Sequence, residues 1–268
     1  MRGKNNRSAM QTFTWLLLIV AGCINGPPSV AAQGGTVNPR DLSGHWDRTT
    51  PIPSFSSVPQ APGRPGTDAP LTEAGRARWE ENRPGYGPRA TADARNDPLT
   101  QCNPLGLVRN LNAEILPPNS TFEIVQLQNR MVQLFEYHHD WREVWSDGRR
   151  LPEFKDTDPR PLGYSVGRWE GNTFVVDSLG FDDRTWLDKF GYPHTENMRV
   201  EEQYRRVDEN TLELVITVTD PEFYSKPWVS DTKLFKLNRE KSTRWGEQIY
   251  CIPSDANEFN ELIQYRGK

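Results

Sequence analysis

The sequence predicts a mainly β protein: an antiparallel up-and-down barrel or a strongly curled sheet, with two short helices and a proline-rich N-terminal excursion. Three observations support this fold class. From residue 121 onward, short segments of alternating apolar and polar residues follow one another. Turn signals such as "EGN" and "VDEN" separate these segments. No helix-like stretch lies between successive strands, so a parallel sheet is not expected, and a two-sheet sandwich is the architectural alternative.

The strand pattern is clearest in "TLELVITVT", where Leu212, Leu214, Ile216 and Val218 share one face. The other segments with strand character are "TFEIVQL", "MVQLFEY", "WREVW", "GYSVGRW", "TFVVDSL", "MRVEEQYRR", "VSDTKLFKL" and "EQIYCI", with an earlier one around Trp46. The segment "SDANEFNELIQY" predicts a closing helix, since an aspartate and a glutamate stand at capping-box spacing.

The N-terminus predicts an export signal over residues 1–32. Basic residues without an acid precede the short apolar stretch "WLLLIVAG", and "SVAAQ" offers a cleavage site that makes Gln33 the new N-terminus. The alternative is a lipobox, "VAGC", with a lipid anchor at Cys23. Both predict an exported protein, periplasmic or extracellular, with no transmembrane segment in the mature chain.

We expect residues 33–268 to form a single β-barrel-like domain. Within it, residues 49–120 form a proline-rich, largely irregular excursion that carries a short helix at 72–82. The net charge of −4 and the isoelectric point near 5.7 argue against a nucleic-acid partner, which would favour a basic surface.

Cysteine usage agrees with export. Once the signal is removed, Cys102 and Cys251 remain, and a distant pair in an exported chain predicts one disulfide closing a long loop. Two unpaired buried thiols are the alternative.

Several motifs resemble a family of exported, uncharacterised β-rich proteins from environmental bacteria. They are "WREVWSDGR", "GRWEGNTFVV", "FDDRTWLD" and "PHTE". The resemblance implies export and a single β-rich domain, and it transfers no catalytic residue. A weaker resemblance, "GHW" in the first strand, is similar to the G-x-W of lipocalin-like barrels.

The segment "FDDRTWLDKFGYPHTE", residues 181–196, is the first candidate site. It is longer than an ordinary hairpin loop, and long ordered loops are often functional. We expect Arg184 and Trp186 to contact a ligand, and Asp188 and His194 to act as an acid–base pair at the mouth of the barrel. Neighbouring carboxylates should raise the pKa of His194. The alternative is a structural flap held by salt bridges.

The second candidate is Glu202. In "MRVEEQYRR" it shares a face with Val200 and Tyr204, so it should point inward and act as an acid, a base or a ligand anchor, with Tyr204 beside it. The alternative is a buried ion pair with Arg142 or Arg168.

The third candidate is "YHHDWREVW". If it is one continuous strand, His138 and Asp140 share a face with Arg142 and form part of a binding wall; a bend at the two histidines would break that arrangement. Adjacent histidines on a strand point to opposite faces, so no metal site is predicted.

These observations favour binding of a small apolar or aromatic molecule in the barrel cavity, without a cofactor. The first alternative is a cofactor-independent lyase, isomerase or hydrolase, since motifs of the common hydrolase and nucleotide-dependent classes are absent from the sequence. The second is an envelope protein whose proline-rich arm binds a partner.

Overall fold

Within the described residues, alternating apolar side chains build one large sheet. The computed structural model describes residues 37–49, 55, 69–82, 84, 96–112 and 121–240, and all of them belong to one compact unit. The strands are β1 (Gly44–Arg48), β2 (Thr121–Gln126), β3 (Arg130–Phe135), β4 (Trp141–Trp145), β5 (Tyr164–Glu170), β6 (Thr173–Leu179), β7 (Arg199–Asp208), β8 (Thr211–Thr219), β9 (Trp228–Val229) and β10 (Lys233–Leu237). The α-helices in the same residues are α1 (Glu73–Asn82) and α2 (Leu107–Asn112).

The sheet closes into a barrel, which confirms the predicted fold class. Neighbouring strands pair in chain order from β1 to β8, and β10 closes the ring because it pairs with both β1 and β8. Nine of the described strands therefore form the barrel wall, and β9 adds a short strand beside the C-terminal half of β8. Closure gives each strand of the ring a neighbour on both sides.

One pair of described strands departs from the antiparallel pattern. β4 and β5 run parallel and share only the pairings Val144 with Ser165 and Trp145 with Val166. The connection over residues 146–163 is too long for a hairpin, and it returns the chain to the other end of the barrel before β5 begins. The first half of β4 consequently has no strand partner on the β5 side, and the wall is open at this point.

The interior is lined by the inward-facing half of each strand. The predicted face of β8 is buried in full: Leu212, Leu214, Ile216 and Val218 each expose 0% of their surface. Large side chains from other strands pack against this face; they include Trp46, Phe122, Phe135, Phe174, Tyr204 and Phe235. This apolar burial is the main stabilising term of the fold.

Helix α1 begins one residue later than predicted and ends at the predicted residue. The Thr72 hydroxyl accepts a hydrogen bond from Gly75 N at 3.0 Å, which caps its first turn. At the other end, Trp79 Nε1 donates to Phe190 O at 3.1 Å and Asn82 Nδ2 donates to Gly191 O at 2.6 Å. The helix therefore packs on the segment 181–196. Neither described helix is long and apolar enough to cross a lipid bilayer.

Some predicted features lie outside the described residues. These are the export signal with Cys23 and Gln33, the closing helix, and Cys251. Cys102 itself follows the short 3-10 helix Pro98–Gln101 and has a left-handed backbone with φ of 61°. The disulfide between Cys102 and Cys251 therefore stays a prediction.

Candidate functional site

An ion pair between Arg142 and Glu202 lies inside the barrel. Arg142 on β4 donates from Nη1 to Glu202 Oε1 on β7 at 2.8 Å, and its Nη2 donates to the other carboxylate oxygen. The two side chains are 3% and 0% exposed. Glu202 faces the interior, as its position on the strand predicts, and it does so in a buried ion pair, which was the alternative interpretation of this residue.

Further polar side chains complete this network. Gln133 Oε1 accepts from Arg142 Nε at 2.9 Å and from Nη2 at 2.7 Å. Tyr204 donates its hydroxyl to Glu202 Oε2 at 2.6 Å. Burial disfavours the charged guanidinium, but the adjacent carboxylate outweighs this effect and raises the pKa of Arg142. Burial, with Glu202 next to it, also raises the pKa of Tyr204 well above its ordinary value. Arg142 therefore stays charged and the Tyr204 hydroxyl stays protonated near neutral pH.

The chain bends at the two histidines, which is the alternative that the sequence left open for this segment. Residues Tyr137–His139 form a 3-10 turn in which His138 and His139 have φ of 55° and 53°. Left-handed backbone of this kind costs roughly 1–3 kcal/mol for a residue other than glycine. The rings of Tyr137 and His138 stack with centroids 4.2 Å apart. The turn therefore separates His138 from β4, whereas Asp140 follows the turn in extended backbone and lines the same cleft as Arg142.

The groups around this turn are shifted towards their neutral forms. Burial raises the pKa of Tyr137 to about 12, with the neighbouring Arg109 acting in the opposite direction. Burial also raises the pKa of Asp140 and lowers the pKa of His138. Asn110 Nδ2 of α2 lies 3.5 Å from Asp140 Oδ2. Desolvated titratable groups beside a strained turn are a feature often found at binding and catalytic sites.

A cleft of about 610 Å³ opens at the gap in the wall beside β4. We call it the arginine–tryptophan cleft. Its walls carry the aromatic residues Trp141, Trp145 and Tyr164 and the arginines Arg149, Arg150 and Arg160. Asp140, Arg142 and Ser165 lie deeper in its lining. Its volume is in the range of a small-molecule site.

Cation–π contacts order part of this cleft. The Arg149 guanidinium lies 3.7 Å from the centroid of the Trp145 ring, and Asp147 holds the same arginine through Oδ1 at 2.9 Å from Nε. Arg160 lies 4.2 Å above the Tyr164 ring. Trp141, in contrast, is 60% exposed at the rim. An exposed tryptophan beside ordered arginines is typical of a binding surface.

The cleft reaches the buried network through two residues. Arg142 and Ser165 line the cleft and also belong to the interior, where Arg142 Nη1 lies 3.4 Å from Ser165 Oγ. Ser165 in turn shares a 2.7 Å hydrogen bond with Ser178. Glu202 and Tyr204 stand behind Arg142 and fix its guanidinium, so their contribution to this site is to position that arginine.

The segment 181–196 is an ordered loop over a second pocket. Phe181, Trp186, Phe190 and Tyr192 are 1–6% exposed and anchor it. Arg184 pairs with Asp182 through Nε, 2.8 Å from Oδ1. The pocket beneath has a volume of about 470 Å³, and its lining includes Arg184, Trp186 and His194.

His194 is buried in this second pocket, at 3% exposure. Its Nε2 lies 2.8 Å from Thr185 Oγ1, and its Nδ1 lies 3.1 Å from Thr195 O. The expected rise of its pKa is wrong. Burial is the largest effect and lowers the pKa of His194, although Asp220, Asp183 and Asp182 act in the opposite direction.

Asp188 is not placed as a partner of His194, so the expected acid–base pair is not formed. Its Oδ2 accepts a hydrogen bond from Phe55 N at 3.0 Å and its Oδ1 accepts one from Phe190 N at 2.9 Å. Lys233 Nζ donates to Phe55 O at 2.9 Å, and the Phe55 ring lies 4.5 Å from that of Trp228. Burial raises the pKa of Asp188 to about 6. Asp188 therefore anchors Phe55 of the proline-rich excursion.

Sequence reasoning missed the walls of the arginine–tryptophan cleft. Trp145, Arg149 and Arg160 come together because of the parallel β4–β5 pairing, which no local pattern indicates. It also missed Thr185, the hydrogen-bond partner of His194. The "SDGR" turn, with Asp147 and Arg149 two residues apart, was the available signal for an ordered arginine.

The described residues contain no group of three or more histidine, cysteine, aspartate or glutamate side chains placed to hold a metal ion. A scan of protein-family models finds no match for the chain, and a search of curated proteins finds no matching relative.

Proposed function

We propose that the protein binds a small molecule with an aromatic or apolar body and a negatively charged group, and that the arginine–tryptophan cleft holds it. The observation that carries the proposal is the composition of the cleft. Four arginines line it against two carboxylates, Asp140 and Glu143, together with three aromatic side chains. Guanidinium groups bind carboxylates and sulfonates through paired hydrogen bonds, and aromatic rings stack on flat apolar groups.

The proposed ligand site differs from the one expected from the sequence, which was the mouth of the barrel. The cleft lies in the wall of the barrel, where the first half of β4 lacks a strand partner on the β5 side. Arg142 is held from behind by Glu202 and Gln133, so its guanidinium needs no rearrangement on binding. Trp141, exposed at the rim, supplies an aromatic surface on which the ligand can stack.

The proposal is tested with 8-anilinonaphthalene-1-sulfonate, an aromatic anion whose fluorescence rises on binding. Wild type should bind it saturably at one site. Trp141→Ala should weaken binding at least tenfold, because the ligand loses its stacking partner. Val229→Ala on β9, where the side chain is 51% exposed, is the matched control and should leave the affinity unchanged. Equal affinities in all three proteins would reject the cleft as the site.

We further propose that this binding protein acts outside the cytoplasm. The support is the basic, apolar and small-residue order of the N-terminus. Intact-mass analysis of the protein recovered from its own cells should give a chain beginning at Gln33. A lipid-bearing Cys23 would instead establish a membrane-anchored form, and an unprocessed N-terminus would contradict export.

A further inference from the structure

Two hydrogen bonds determine the protonation state of His194. Its Nδ1 faces Thr195 O at 3.1 Å, and a carbonyl oxygen only accepts, so Nδ1 carries the hydrogen. Burial keeps the ring neutral near pH 7, since it lowers the pKa of His194. Nε2 is then an acceptor, and the Thr185 hydroxyl, 2.8 Å away, must donate to it. The hydroxyl proton of Thr185 therefore points at a free imidazole base.

The base is held in place from its other side. Thr195 N donates to Asp220 Oδ2 at 2.7 Å, and Thr195 Oγ1 donates to Asp220 Oδ1 at 3.1 Å. Asp220 is 1% exposed. The carbonyl that orients the His194 ring is thus fixed by a buried carboxylate. A nucleophile, its base and a third group that orients the base are the arrangement found in covalent catalysis.

Gly106 packs directly against Thr185, and no side chain fits at position 106. Gly106 has φ of 83°, and a Cβ atom there would lie 2.7 Å from Thr185 Oγ1. Thr185 and His194 both line the pocket of about 470 Å³, together with Asn82 and Arg184. Asn82 Nδ2 donates to Gly191 O and the Arg184 guanidinium pairs with Asp182, so both side chains are held in place in the pocket lining. The candidate nucleophile and its base therefore face one space.

We infer that this pocket is an acyl-transfer site for small esters, with Thr185 as the nucleophile and His194 as the general base. Thr185 Oγ1 attacks the ester carbonyl while its proton passes to His194 Nε2. The protonated imidazole then gives that proton to the departing alkoxide, which leaves as the alcohol, and the acyl group stays on Thr185. Water, deprotonated by His194, cleaves this acyl-enzyme, releases the acid and restores the Thr185 hydroxyl.

The inference is tested on the full chain with p-nitrophenyl butyrate. The wild type should release p-nitrophenolate, and peptide mapping of the quenched reaction should place the butyryl group on Thr185. The rate should rise with pH through a midpoint below 6.5, which follows the lowered pKa of His194. A butyryl group found only on lysines or at the N-terminus would overturn the inference, and this readout needs no variant.

Matched variants distinguish the loss of a catalytic group from the loss of the folded structure. Thr185→Val keeps the size of the side chain and should lower the rate at least 100-fold, and His194→Asn should do the same. Thr185→Ser keeps the hydroxyl and should retain turnover and acylation at position 185. Thr173→Val on β6 is the control for loss of a threonine hydroxyl elsewhere and should match wild type. Turnover unchanged in a folded Thr185→Val protein would contradict the assignment.

Discussion

Arg142 and Glu202 are 60 residues apart in the chain and meet in the barrel interior with Nη1 and Oε1 2.8 Å apart. Each is almost fully buried, so the pair is stable only because its remaining hydrogen-bonding groups find partners in Gln133, Ser165 and Tyr204. The same arginine lines the arginine–tryptophan cleft. This ion pair therefore connects the fold to the proposed ligand site.

Loss of one partner should be costly. Glu202→Gln leaves the buried Arg142 charge uncompensated and should lower the free energy of unfolding by about 3–5 kcal/mol. Glu201→Gln, the preceding position on β7 with a partly exposed side chain, is the control and should stay within about 0.5 kcal/mol. Urea unfolding followed by tryptophan fluorescence measures both. Equal losses would show that the buried pair has no special role.

Phe55 should be a major anchor of the proline-rich excursion. Its ring is fully buried against Trp228, and its backbone is held by Asp188 and Lys233. Phe55→Ala should cost about 3–5 kcal/mol of unfolding free energy, as for other buried phenylalanines. Phe154→Ala, at a partly exposed phenylalanine, should cost clearly less. A Phe55→Ala protein as stable as the control would contradict the anchoring role.

The contribution of Asp188 to the free energy of unfolding should increase as the pH falls. Its folded pKa of about 6 lies above the ordinary value of 3.8, so between these values the native state binds more protons than the unfolded state. The contribution of Asp188 is therefore largest below pH 4 and is lost as pH rises through 6, on the order of 3 kcal/mol in total.

Comparison with Asp188→Asn isolates this contribution. His194, whose pKa is lowered, favours the folded state in the opposite pH direction, but it is present in both proteins and cancels in the comparison. We expect the free energy of unfolding of wild type, measured relative to that of the variant, to increase as the pH falls from 7 to 4.5. Parallel pH curves for the two proteins would mean that Asp188 titrates normally.

The disulfide predicted between Cys102 and Cys251 is tested by thiol counting. The processed, unreduced and denatured protein should show no free thiol, and reduction should lower its unfolding free energy by about 2–5 kcal/mol. Two free thiols in the same assay would establish that these cysteines are unpaired.

The barrel was predictable because its signal is local. Alternation in β8 and the glycine of the "EGN" turn, Gly171 with φ of 59°, each specify structure over a few residues. Helix α1 was predictable for the same reason. Helix α2 was not, because it has only six residues and all of them are buried, so no alternation of exposed and buried positions marks its period.

The sites were only partly predictable. The strand phase of Glu202 and the length of the 181–196 loop pointed to the right regions. The sequence could not decide between a continuous strand and a bend at His138 and His139, because two residues other than glycine lie there in left-handed backbone, which propensity does not favour. The pKa of His194 was predicted in the wrong direction, because sequence proximity to carboxylates does not report burial.

The central claim is that the arginine–tryptophan cleft selects an aromatic anion. The most direct measurement is the ratio of dissociation constants for N-phenyl-1-naphthylamine, which is neutral, and 8-anilinonaphthalene-1-sulfonate, which shares its ring system and carries a sulfonate. Wild type should prefer the sulfonate about tenfold, equivalent to 1.4 kcal/mol. The double variant Arg150→Gln, Arg160→Gln should bring the ratio close to one. A wild-type ratio of one, or a preference unchanged in the double variant, would contradict the account.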